Sequence, residues 1–159
     1  MLLSYLKTKY REQLEEGWAA FEIGNFQKAE QHFRTVVAYE DDPLNSPLVA
    51  IEAHAGLGAV NLHHKDLFEA HRWYAESHHL LDRYYEGTWP SRLNWKKLED
   101  HPAMRTLIGL GHLAYEKKDL IRARSHYNRL LKLDPRDELG VKYFLDALDS
   151  GLLFHDLRI

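Results

Sequence analysis

Three segments of the chain repeat one spacing of small and aromatic residues, and this repetition constrains the fold more than any other feature. The clearest copy, residues 107–135, contains Gly111, Ala123 and Tyr127. Its apolar residues recur at helical spacing on both sides of a polar hinge at residues 117–119, which predicts two short amphipathic helices. The small residues allow the helices to approach closely, and the tyrosine fills the space beside their crossing. One such pair cannot bury its apolar face alone, so further copies are expected.

Two further copies occur upstream. Gly58, Ala70 and Tyr74 repeat the offsets of the first copy, and Gly17 and Phe33 fit the same template. This spacing resembles the tetratricopeptide repeat, a helix pair of roughly 34 residues. The resemblance implies an all-α fold, a right-handed superhelical array of antiparallel helix pairs. Residues 1–159 are then a single domain with repeats at about 10–43, 51–84 and 104–137, an aromatic insert at 84–102, a capping helix at 137–150 and an apolar tail at 151–159.

The predicted helices have identifiable starting residues. Asn25, Asp66 and Asp119 each precede a predicted second helix, where a side-chain oxygen can accept a free backbone N–H. Asn45 or Ser46 is expected to do the same before a helix at about 48–63, and the aspartate at position 137 is expected to begin the capping helix. The proline at position 135 ends the last repeat.

The insert between the second and third repeats is the most aromatic stretch of the chain, with Tyr84, Tyr85, Trp89 and Trp95. Residues 91–99 are compatible with a short helix. An insertion on one face of a repeat array often carries binding specificity. Large aromatic side chains also bury well against an exposed core edge, and the sequence leaves both interpretations open.

The resemblance also implies a binding site, because in this family the first helix of each pair lines a concave groove. Members that grip the C-terminal carboxylate of heat-shock chaperones use Lys and Asn there, whereas Leu14 and Trp18 stand at the first of these positions, which argues against a carboxylate clamp. An apolar and aromatic groove favours a partner's helix or extended apolar segment. The predicted protein-binding residues are Arg11, Leu14, Trp18, Phe21, Glu22, Leu62, His63, Arg105, Ile108, His112 and Tyr115, with Trp89 and Trp95 from the insert; the groove positions Glu52, Ala55, Ala59 and Glu116 complete the set.

The chain itself offers alternative occupants for the groove. The tail at 152–159 is unusually apolar for a terminus, and it or the N-terminal extension can fill the groove. If the tail docks on a neighbouring copy instead, the protein is a self-associating homodimer. The expected partner is therefore another protein or peptide, or the chain itself.

Composition excludes several other classes of partner. The formal net charge is −3 and no block of basic residues occurs, so nucleic acid is not expected. The chain has no cysteine, which excludes disulfides and cysteine-ligated zinc. No apolar run approaches the ~20 residues of a membrane span, and the first residues do not resemble a signal peptide. We expect a cytoplasmic protein that does not bind membranes.

The eleven histidines raise the question of a metal site. His71 and His78 share one helix face, while His63, His64 and Asp66 cluster at a hinge. A zinc site needs three or four converging ligands with oriented ring nitrogens, and no such motif is present. We expect no metal, and a histidine-based metal-binding protein is the less favoured alternative.

Catalytic motifs are also not expected. Gly56 and Gly58 form a G-x-G sequence inside a helical pattern with no preceding strand, whereas a dinucleotide fingerprint needs a strand, a turn and a helix. No nucleophile-elbow motif surrounds any serine. The sequence therefore predicts a binding protein without a cofactor rather than an enzyme.

Overall fold

The computed structural model describes residues 2–157, with side chains from residue 9 onward, and within this range the chain has seven α-helices and no strand. The all-α prediction is confirmed. Two short 3-10 turns, Leu98–Asp100 and Phe154–Asp156, complete the structure. The helices are α1 Leu2–Glu22, α2 Phe26–Ala38, α3 Pro47–His63, α4 Leu67–Tyr84, α5 His101–Glu116, α6 Leu120–Leu133 and α7 Val141–Asp149.

Short hinges join α1 to α2, α3 to α4 and α5 to α6. A side-chain cap begins the second helix of each pair. Asn25, Asp66 and Asp119 each accept the backbone N–H three residues later at 3.2 Å. These caps satisfy donors that have no partner inside the helix. All three predicted caps are confirmed.

Each pair is closed by an aromatic ring from its second helix that lies against a glycine of its first helix. A Cβ added to that glycine would come within 3 Å of the ring, so only glycine leaves room for it. The glycine precedes the aromatic residue by the same number of positions in all three pairs, which explains the repeated spacing. The contacts are Gly17 with Phe33, Gly58 with Tyr74 and Gly111 with Tyr127.

A second glycine in α3 and in α5 accepts the ring of the preceding pair. Gly56 lies against Phe33, and Gly109 lies against Tyr74. Because α3 also packs against α1, α2 and α5, and α4 against α5, each pair is joined to the next. The two G-x-G sequences are therefore packing features. In each, the first glycine contacts the aromatic ring of the preceding pair and the second contacts the ring of its own pair.

The insert forms less helix than the sequence suggested. Residues 91–97 are irregular, and only Leu98–Asp100 form a 3-10 turn. The Asn94 side chain accepts the N–H of Lys96, and Asp100 accepts the N–H of Asn94. Side-chain acceptors of this kind compete with helical hydrogen bonds, and the local turns replace the helix.

One other boundary differs from the prediction, and of the two cap candidates offered for α3 only Ser46 stands directly before the helix. The last helix begins at Val141, because Asp137 has φ +54° and its carboxylate accepts the N–H groups of Val141 and Lys142. Asn45 does not cap α3. Its side-chain amide is buried and donates to the carbonyls at positions 36 and 39, at the end of α2, while Ser46 takes the position before α3 without a side-chain bond.

No helix in the described part of the chain combines the length and apolar character needed to cross a membrane.

Candidate binding groove

The first helices of the three pairs border a groove with a cavity of about 600 Å³. Each helix directs residues at i, i+3 and i+4 into it, which is one face of a helix. One end is bordered by the hinge between α1 and α2, and the other end by the C-terminal segment. The lining residues are Trp18, Phe21, Glu22, Gly24, Phe26, Ala59, Leu62, His63, Tyr74, Arg105, Ile108, Gly109, His112 and Phe154.

Aromatic contacts form the hinge end of the groove. Phe26, the first residue of α2, stacks on the His63 ring with 3.6 Å between centroids and meets Phe21 edge-on at 5.2 Å. Burial and the neighbouring His64 ring lower the pKa of His63. The hinge end therefore presents a largely apolar surface, with the exposed Glu22 at the end of α1 as a charged group.

A largely buried ion pair contributes Arg105 to the groove lining. Arg105 Nε donates to Glu52 Oε1 at 2.9 Å, and the guanidinium lies 3.6 Å from the Trp18 ring centroid and 4.9 Å from that of Trp95. Glu52 is 2% exposed, and burial raises the pKa of its carboxyl against the opposing effect of Arg105. The two indoles hold the guanidinium in place by cation–π contact, so Arg105 is a fixed positive charge in an apolar surface.

His112 contributes a neutral ring to the groove. Its Nδ1 lies 2.8 Å from the Tyr127 hydroxyl, and its ring packs against Phe144 at 4.4 Å. Burial lowers the pKa of His112 to about 3. This histidine is therefore uncharged at neutral pH.

The C-terminal segment folds back over α5 and closes the other end. The Tyr115 hydroxyl donates to the backbone carbonyl of Leu152 at 2.6 Å. The Phe154 ring lies 5.1 Å from His112 and 5.4 Å from Tyr115, measured between centroids. Part of the groove is thus filled by the chain's own tail, one of the occupants considered from the sequence. The N-terminal extension considered with it has side chains that lie outside the described residues.

Most of the predicted groove residues do line this groove. Leu14 does not: it is 1% exposed and packs in the core formed by α1, α2 and α3. Tyr115 is 2% exposed and is covered by the C-terminal segment, and Arg11 lies outside the lining. The predicted residues found in the lining are Trp18, Phe21, Glu22, Ala59, Leu62, His63, Arg105, Ile108 and His112.

The insert tryptophans pack against their own chain instead of standing free. Trp89 Nε1 donates to Asp82 at 2.6 Å, and Arg129 lies 4.2 Å from the Trp89 ring centroid. Trp95 stacks on His101 at 3.7 Å. The adjacent Leu93 is buried in the core. These contacts agree with the packing interpretation of the insert.

Five lining residues were not predicted: Gly24, Phe26, Tyr74, Gly109 and Phe154. Gly24 belongs to a hinge, and Phe26 and Tyr74 belong to second helices, whereas only first helices were assigned to the groove. Gly109 was identifiable from its G-x-G spacing with Gly111, which repeats the spacing of α3. Phe154 depends on how the tail folds back, which no local pattern specifies.

The histidines are dispersed among different environments. His78 lies 3.3 Å from Asp82 and 3.1 Å from Arg129, whereas His63 stacks on Phe26. Among residues 2–157, no three or more His, Asp or Glu side chains come together in a group that could hold a metal ion.

No protein-family model, curated protein or solved structure matches this chain. Its function must therefore be inferred from the chemistry of the groove: apolar walls from three helices, one fixed ion pair and a neutral histidine.

Proposed function

We propose that the chain is a tetratricopeptide-like interaction module, a right-handed array of three helix pairs whose groove binds a segment of a partner protein. The observation that carries the proposal is that one face of α1, α3 and α5 borders a single apolar groove of about 600 Å³. Binding pockets typically have volumes of about 300–1,000 Å³. A groove of this size accommodates several partner side chains.

The lining indicates the chemistry of the partner. Phe21, Leu62 and Ile108 supply apolar contact, and Glu22 and Arg105 supply charge. Such a surface suits an amphipathic helix or an extended apolar segment. Two of the polar lining groups are already engaged within the chain, Arg105 with Glu52 and His112 with the Tyr127 hydroxyl. Binding without chemical conversion is therefore the function that the groove supports best.

The proposal is tested by placing a charge on the groove wall. Ile108→Glu puts a carboxylate among apolar side chains, while Ile121→Glu, at a residue that is 85% exposed on α6, is the matched control. A partner captured from cell extract by the wild type and by Ile121→Glu should be lost with Ile108→Glu, provided that circular dichroism shows all three proteins folded. Equal capture by Ile108→Glu would contradict the groove as the binding surface.

Self-association through the C-terminal segment is the second candidate. Leu152 and Leu153 are 50% and 43% exposed, and with Leu120 they border a small apolar cavity of about 140 Å³. Exposed apolar clusters often mark interaction surfaces. Light scattering of the full chain over a hundredfold concentration range tests this candidate: a concentration-dependent dimer supports it, and a constant monomer mass excludes it.

A further inference from the structure

The C-terminal segment, residues 151–157, is seated along one helix of the groove; we call it the strap. Leu152 meets Tyr115, and Phe154 meets His112, one turn earlier in α5. The strap therefore runs along α5 towards its N-terminus, in the direction of Arg105. It enters the groove from one end and leaves the central cavity open.

Few polar contacts join the strap to α5. Among the described residues, the Tyr115–Leu152 bond is the one hydrogen bond that joins the strap to α5. Gly151, at φ +72°, forms the bend that leads out of α7. A cavity of about 140 Å³ lies beneath Leu152 and Leu153, which are both half exposed. Gly151 and Leu152 also donate their N–H groups to α7. With one hydrogen bond to α5, a void beneath it and exposed leucines, the strap can leave α5 while these bonds to α7 remain.

The seat of the strap is nevertheless specific. The Tyr115 hydroxyl supplies a buried donor for a backbone carbonyl. Two residues further along, the rings of His112, Tyr115 and Phe144 surround the Phe154 ring at centroid distances of 5.1, 5.4 and 6.5 Å. The seat therefore recognises a backbone that is extended up to Leu153, with an aromatic side chain two residues after the bonded carbonyl, where the 3-10 turn begins.

We propose that the strap is an intramolecular ligand, and that the partner's segment presents the same chemistry and binds by displacing it. This rests on the proposed function of the groove. The partner segment takes the carbonyl and aromatic positions of the strap and continues into the open cavity. Arg105 lies seven residues before His112 on α5, about 10 Å along the helix axis, which leaves room for about three more extended residues. These additional contacts provide the binding free energy with which the partner segment displaces the tethered strap.

Tethering makes the strap an effective competitor despite its few contacts. A short linker holds a ligand at an effective concentration in the millimolar range. While the strap is bound, the partner's apparent affinity is therefore lower than the affinity that it would have for a groove without the strap. Removing the Phe154 ring should expose that affinity.

The test uses a fluorescein-labelled, amidated peptide with the sequence of residues 152–157, and fluorescence polarisation with full-length proteins. Phe154→Ala is expected to bind the peptide about tenfold or more tightly than the wild type, because the cis competitor is weakened. Ile121→Ala, which shortens an exposed apolar residue elsewhere, should bind as the wild type does. A peptide with Ala in place of Phe should bind weakly to all three proteins. As a second readout, saturating peptide should accelerate hydrogen exchange of the strap amides in the wild-type chain.

Three results would overturn the inference. Phe154→Ala that binds no more tightly than the wild type, with strap exchange unchanged by peptide, would show that the strap does not compete. If Phe154→Ala bound the peptide more weakly than the wild type, Phe154 would be a residue that contacts the ligand and not a competitor of it. A wild-type dimer that becomes a monomer on Phe154→Ala would mean that a second copy fills the seat. In each case the capture experiment with Ile108→Glu still reports separately on the groove.

Discussion

Tyr74 fits between Gly58 of its own helix pair and Gly109 of the next, and its ring atoms would lie 2.9 Å and 2.1 Å from a Cβ at those positions. The ring cannot move away from one glycine without approaching the other. Phe33 is enclosed in the same way by Gly17 and Gly56. At this scale, the repeated spacing in the sequence records a steric requirement, since a methyl group at any of these four positions would displace a buried ring.

We expect the buried His112 to make the stability of the fold depend on pH. Burial lowers the pKa of His112 to about 3 in the folded chain, against about 6.5 in an unfolded chain. The unfolded state therefore binds more protons between these values, so the stabilisation is fully present above about pH 6.5 and declines as the pH falls below it. The free energy of unfolding should decrease by up to about 1.4 kcal/mol per pH unit from this residue.

Urea denaturation at pH 7.5 and pH 5.5 measures this effect. The difference in unfolding free energy between the two pH values should shrink in His112→Gln, whose side chain does not titrate. His71→Gln, at an exposed position on α4, should leave the difference unchanged. If His112→Gln retains the full wild-type difference, the pH dependence has another origin, such as His63, His78 or His126, whose pKa values burial also lowers.

At the scale of helices, the Glu52–Arg105 ion pair links α3 to α5. Arg105→Met would leave the Glu52 carboxyl buried without its partner, and removal of one member of a buried pair typically costs about 3–5 kcal/mol. The double variant Glu52→Gln with Arg105→Met removes both charges and should lose less stability than the sum of the two single variants. Chemical denaturation of the four proteins gives the coupling energy. Additive losses would mean that the two side chains stabilise the fold independently.

The helices and their caps could be predicted from sequence because local patterns determine them. Asn25, Asp66 and Asp119 cap where their positions before apolar periodicity indicated. The insert could not be predicted, since its course depends on distant partners: Leu93 donates its N–H to the carbonyl of Leu133 and packs in the core. The start of α7 was misplaced because Asp137 adopts a positive φ and caps the helix from outside it.

At the scale of the whole molecule, the groove was predictable as a shared face of three first helices, but its limits were not. Leu14 and Trp18 pack in the same core cluster, but only Trp18 also borders the cavity. Tyr115 is covered by a segment 37 residues later in the chain. Helical spacing identifies which residues share a side, whereas the packing of neighbouring helices and the path of the tail decide which of them remain open to a ligand.

The core is divided along the chain, and Tyr74 lies at the division. One cluster of buried residues belongs to α1, α2 and α3, a second extends from α3 to α7, and a small third cluster contains Tyr74 with Ala55, Ala70 and Leu113. Tyr74→Ala should therefore leave a cavity between the two larger clusters and cost about 3–5 kcal/mol. In structures built from neighbouring repeats, weakening one interface allows the parts to open separately.

Hydrogen exchange followed by mass spectrometry measures this separation. In the wild type, we expect the most protected amides of α2 and α6 to exchange with the same opening free energy, that of global unfolding. In Tyr74→Ala these two opening free energies should differ by more than about 1 kcal/mol, because the half of the chain that contains α2 and the half that contains α6 no longer open together. Tyr84→Ala, at an exposed tyrosine of the same helix, should keep them equal. An equal decrease in both halves of Tyr74→Ala would show that Tyr74 adds stability without coupling the helix pairs, and that the contacts of α3 with α5 join the two halves instead.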